Sequence, residues 1–136
     1  MTEKHKPRSR RALFALAFAI GVFIVVGEEL IFTAALERPI DLSLSDTVVL
    51  NTVHIAIPFL LLAKRSSARA LPWLLAIAAT AWLRWWYLSL GIEYQRAPDG
   101  SGVPMFEALI LLVAPLPISA LALITDNILR RQANVR

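Results

Sequence analysis

The chain has 136 residues, 57% of them hydrophobic, with a mean hydropathy of +0.62, a formal charge of +4 and a pI near 10.1. A water-soluble domain of this length needs a largely polar surface, so the composition points away from an ordinary soluble fold and towards the lipid bilayer as the main solvent. No cysteine is present, which excludes disulfides, thiolate metal sites, iron–sulfur clusters and cysteine nucleophiles.

Four apolar segments follow in chain order, at 12–36, 47–63, 70–90 and 104–125. At 1.5 Å per residue each is long enough to cross a hydrocarbon core of about 30 Å as a helix, the second near the lower limit. Their apolar residues run continuously, whereas the strands of a membrane barrel alternate apolar with polar positions. The expected fold is all-α, an integral membrane four-helix bundle forming a single transmembrane domain over residues 1–136. Lys4, Lys6, Arg8, Arg10, Arg11, Lys64, Arg65, Arg69, Arg130, Arg131 and Arg136 fall on one side of these spans, against Arg38 and Arg96 on the other. That bias predicts a multi-pass protein of the cell inner (plasma) membrane with both termini cytoplasmic. The basic flanks then serve as topology signals in contact with anionic lipid, and no nucleic acid is needed to explain the net positive charge.

The N-terminus resembles a secretory signal peptide in its basic start, its apolar stretch and the small residues Thr33-Ala34-Ala35. The apolar run 12–27 is long for such a segment, so the first helix is expected to be retained.

Six polar residues interrupt the spans: Glu28 and Glu29 in the first, Asn51 and His54 in the second, Arg84 in the third and Glu107 in the fourth. Ionisable groups within a bilayer cost a few kcal/mol each, so they face a bundle interior and find partners there. Helices 1 and 3 run outward and carry these residues late, while helices 2 and 4 run inward and carry them early. All six therefore reach similar heights in the outer half, which makes them the candidate ligand-binding or proton/ion site. Thr47, Asn51, His54 and Pro58 form one stripe on helix 2, and Thr80, Arg84 and Gly91 lie near another on helix 3. Trp82, Trp85, Trp86 and Tyr87 read as an interfacial aromatic belt. In helix 4, Pro115 and Pro117 remove the main-chain bonds to the carbonyls of Leu111 and Val113, so this helix is expected to kink or break there.

Charge sharpens the expectation. Three Glu against Arg84 leave an excess of negative charge, which protonation, a charged His54 or an admitted cation would relieve. With Glu37, Asp41, Asp46, Glu93 and Asp99 the outer half carries eight acids against Arg38, Arg84 and Arg96, a balance that attracts cations. Glu and His suit a divalent metal, but the Glu-x-x-His spacing of di-metal bundles does not occur. The sequence therefore names neither a metal nor a cofactor.

The segment Gly27-Glu28-Glu29-Leu30-Ile31-Phe32 resembles the Glu-Glu motif of CAAX-type intramembrane proteases, and also that of membrane lycopene cyclases. Thr33 stands where the protease motif carries an Arg, and no His follows His54. The resemblance implies a glutamate that activates water or transfers a proton near a lipid or isoprenoid substrate. Three classes thus stand open: a ligand- or ion-binding or transport bundle taking a cation or small amphiphile, a non-catalytic subunit of a larger membrane complex, and a membrane enzyme. The first is expected to be a homo-oligomer and the second to have a larger membrane partner.

Overall fold

The computed structural model describes residues 10–39, 46–97 and 105–135, all as helices and the turns that flank them. The elements are α1 (Arg10–Leu36), α2 (Asp46–Lys64), α3 (Ala70–Arg96), α4 (Met105–Val113) and α5 (Pro115–Val135). No strand occurs among the described residues. The expected positions of Asp41 and Asp99, of the basic residues at 4–8 and of Arg136 lie outside the described residues, as does the Thr47 side chain. α1 and the combined stretch Met105–Asn134 are long and apolar enough to cross a membrane by length and composition. The third and fourth helices run past the apolar segments, to Arg96 and Val135, because polar residues continue the same main-chain hydrogen bonding once the apolar requirement ends.

Two helix ends close without glycine. Glu37 and Ser66 adopt left-handed φ values of 52° and 53°, and the next amides reach back five residues, Arg38 to the Thr33 carbonyl and Ser67 to that of Leu62, at 3.0 Å each. This is the Schellman arrangement, which caps carbonyls that have no helical donor. The fourth helix is interrupted at Ala114, directly before Pro115. There the Ala114 amide is shared between the carbonyls of Ile110, at 3.0 Å, and Leu111, at 3.3 Å.

α2 and α3 touch each other at the centre; α1 packs on both from one side and α5 on both from the other, without contact between α1 and α5. Side-chain bonds align the ends. Arg10 donates to the Lys64 carbonyl and Arg65 to Asn127 at a basic end; Arg38 donates to Gln95 and Arg96 to the Ala35 carbonyl at the opposite, acidic end. Successive helices therefore run in alternating directions.

The interior combines large side chains such as Phe59 and Leu62 with many small residues. On α1 the buried positions Leu13, Ala17, Gly21 and Val25 recur every fourth residue, a row that brings one helix face against a neighbour. Ala17, Ala56, Ala63, Ala76 and Ala122 are wholly buried, which lets helices approach closely. Phe59 stacks on Trp73, with ring centroids 6.0 Å apart. Other large apolar side chains point the other way: Phe23 is 79% exposed, Leu50 73% and Trp82 71%.

α1 approaches α2 closely at Gly21, where an added Cβ would sit 2.9 Å from the Thr52 carbonyl oxygen. A backbone atom of α2 cannot rotate away, so Gly21→Ala is expected to destabilise the fold by about 1–3 kcal/mol through overpacking. Gly27, on the same helix, has nothing within 4 Å of such a Cβ. Gly27→Ala should stabilise by up to about 1 kcal/mol, since alanine restricts the unfolded chain. Denaturant titration of the two variants checks the opposite signs.

Candidate functional site

At the acidic end, the late part of α1 faces the middle of α3. The buried positions of α3 are Pro72, Ala76, Thr80 and Arg84, again four apart, with Trp73 beside them. This row carries Arg84 into the interior at 9% exposure. Its Nε donates to Glu28 Oε1 and its Nη2 to Glu28 Oε2, a two-pronged pairing in which the planar guanidinium matches the carboxylate. The remaining nitrogen, Nη1, is buried and has no hydrogen-bond partner.

His54 on α2 faces the broken fourth helix. Its Nε2 lies 2.8 Å from the Leu112 carbonyl oxygen, and because a carbonyl only accepts, Nε2 carries the proton in this contact. Pro115 and Pro117 were expected to free the carbonyls of Leu111 and Val113; the carbonyl that His54 meets is Leu112, one residue along. A cavity of about 20 Å³ adjoins this point, lined among others by His54, Pro58, Thr80, Arg84, Leu111 and Pro115. Thr80 Oγ1 is buried without a partner, as are Glu107 Oε2 and Ser119 Oγ on the fourth helix. A buried polar atom left unpaired costs about 1–3 kcal/mol, so such atoms mark places that accept an additional group.

The six expected site residues are thus brought together in part. Glu28 and Arg84 form the ion pair, and Arg84 and His54 share the small cavity. Glu29, Asn51 and Glu107 are half-buried, and among the described residues their side chains make no hydrogen bond or ion pair. Neither Glu29 nor Glu107 lines the cavity that holds His54. The Glu-Glu pair is therefore split, one carboxylate committed to Arg84 and the other unengaged. Among the described residues no three of His, Asp and Glu come close enough to hold a metal ion.

A second, larger space opens between α3 and the fourth helix. It measures about 550 Å³ and is walled by apolar side chains that include Trp82, Leu83, Phe106, Ile110 and Pro117. Leu83, Ala114 and Ile118 line both this groove and the small cavity, forming the partition between them. Of the expected aromatic belt, Trp82 and Trp85 stand mostly exposed while Trp86 and Tyr87 are half-buried.

Sequence reading missed the polar centre of the opposite end. Asp126 is 0% exposed and accepts from Ser67 Oγ at 2.6 Å and Arg130 Nε at 2.8 Å, with Arg69 Nη1 at 3.6 Å. Ser67 in turn accepts the Trp73 indole N–H through its carbonyl, and Arg130 donates to the Arg65 carbonyl. The signal was present as Asp126-x-x-x-Arg130, a one-turn acid–base pair.

Compared with known proteins, the chain matches no family model, no curated protein and no solved structure.

Proposed function

We propose that the chain is a small inner-membrane protein whose four helical spans form a bundle with both termini cytoplasmic, and that it binds or transports an amphiphilic cation. The membrane reading is supported by the direction of the apolar side chains. Only 11% of the apolar window of α1 and 28% of that of the fourth helix are buried, whereas the core helix of a soluble protein hides most of its surface. Phe23, Leu50, Trp82, Met105 and Phe106 would present water with apolar patches that soluble proteins avoid. Arg10, Lys64, Arg65, Arg69 and Arg130 gather at one end, in keeping with a cytoplasmic face.

The observation that carries the ligand reading is Glu107. Its Oε2 is buried and unpartnered, and its neighbour Phe106 lines the apolar groove. A groove of several hundred Å³ walled by apolar side chains, on a helix that also carries an unpartnered carboxylate, suits an amphiphile. The apolar body of the ligand lies along the groove, the aromatic faces of Trp82 and Phe106 favour its positive charge, and the Glu107 carboxylate balances it. The surplus of acids around this end draws cations towards it. In this reading the Glu28–Arg84 pair holds α1 to α3 and leaves Glu107 as the acid that meets the ligand.

Tetraphenylphosphonium, a lipophilic cation, is the probe. The purified chain in lipid nanodiscs should bind it in equilibrium dialysis, and Glu107→Gln should weaken binding about tenfold or more, the equivalent of about 1.4 kcal/mol, with the melting profile unchanged. A wild-type chain that does not bind the probe, or a Glu107→Gln variant that binds it equally well, rejects the reading.

A further inference from the structure

We infer that the small cavity between α2, α3 and the α4–α5 junction is a binding site for a single water molecule, held by Thr80 Oγ1, Arg84 Nη1 and main-chain carbonyls. Its volume of about 20 Å³ exceeds the roughly 10–15 Å³ that one water requires.

The lining is polar where it needs to be. Thr80, 4% exposed, and Arg84, 9% exposed, both line the cavity, and each has a polar atom without a protein partner. Thr80, like Ser119, departs from most hydroxyls on these helices. Thr33, Thr52, Ser89 and Thr125 each bond the carbonyl four residues earlier, at 2.8–2.9 Å, the usual resort of a helical hydroxyl. Thr80 makes no such bond.

The prolines supply the acceptors. Pro58 and Pro115 both line the cavity, and neither has an amide hydrogen for the carbonyl four residues before it, which belongs to His54 in one helix and Leu111 in the other. Both of those residues line the cavity too. Leu111 receives only the long, shared Ala114 amide in compensation. Two helices thus lose a main-chain bond at the same place.

Electrostatics selects the occupant. The Arg84 guanidinium disfavours a cation, while main-chain carbonyls and the Glu28 carboxylate on the same arginine disfavour an anion. Water gives two hydrogens to carbonyls and accepts from Arg84 and Thr80, which matches the groups present. It replaces the two missing main-chain bonds with one bridge across three helices. The site stands independently of any cation at Glu107.

The test uses the full chain in lipid bilayers with labelled Thr, Arg and Ala, read by water-to-protein magnetisation transfer in solid-state NMR. Transfer to Thr80 and Arg84 Nη is expected to be faster than to Ala76, which lies one turn away on the same buried row; equal rates would overturn the proposal. Thr80→Val is expected to abolish the transfer to Arg84 and lower the melting temperature, and Thr80→Ser to retain the transfer. A rise in melting temperature for Thr80→Val, the result of relieving an unpaired hydroxyl in a dry void, would also overturn it.

Discussion

Replacing Arg84 with Met is expected to destabilise the chain by about 3 kcal/mol, because it strands the Glu28 carboxylate in an interior where its side chain is 18% exposed. The two-pronged geometry gives both oxygens a donor at once, so neither has a ready substitute when the guanidinium is removed. Glu28→Gln should cost less, since an amide keeps one acceptor for Arg84 and carries no charge of its own. The double variant Glu28→Gln/Arg84→Met is expected to recover to within about 1 kcal/mol of the parent, because buried ion pairs repay little more than their desolvation. A double-mutant cycle on unfolding free energies in mixed micelles reads the coupling directly. Single effects that simply add would mean that the two residues do not stabilise each other.

The other large effect lies at the opposite end. Asp126→Ala removes the acceptor of Ser67 Oγ and of Arg130 and leaves a void where a fully buried side chain stood. Hydrogen bonds to a charged group contribute about 1.5–3 kcal/mol each. Arg130 and Arg69 are 41% and 37% exposed and rehydrate once released, so the expected total is about 3 kcal/mol. Asp126→Asn, which keeps the shape and one acceptor, should cost about 2 kcal/mol. The exposed bond from Arg65 to Asn127 supplies the comparison: Asn127→Ala should cost under about 1 kcal/mol. Equal losses for Asp126→Asn and Asn127→Ala in thermal melts would show that burial gives Asp126 no special weight.

The helices were legible because apolar length is a strong signal: the first three apolar segments fall within α1, α2 and α3, and the described part of the fourth falls within α4 and α5 apart from Ala114. Their ends were less so. Apolar composition stops at Leu90 and Thr125, yet hydrogen bonding continues through Glu93, Arg96 and Asp126 to later ends. Glu37 and Ser66 close α1 and α2 in a conformation usually given to glycine, so no residue type announced the stops. The break at Ala114 was legible from the prolines, but the carbonyl that meets His54 depends on how far the helix bends, which spacing alone does not encode.

The polar residues divide in the same way. Reading helix direction against residue depth placed Glu28 and Arg84 at one height, and the structure joins them. The same reasoning placed Glu29 and Glu107 nearby without telling which acid Arg84 takes, because adjacent residues on a helix point about 100° apart. Asp126 escaped notice since it lies one residue past the last apolar segment and looks like part of a solvated tail. Ala17 and Gly21, four residues apart, carried the signature of close helix contact that Gly21 makes with Thr52.

The interruption at Ala114 divides the last quarter of the chain into parts with different anchorage. α5 is fastened to α2 and α3 and locked through Asp126, whereas no α4 side chain is buried. Across the gap from α2, a single imidazole meets the α4 main chain. The last span is therefore held unevenly: α5 is fixed by the buried Asp126 network, while α4 packs on α3 and α5 with its side chains turned towards the groove and the surface.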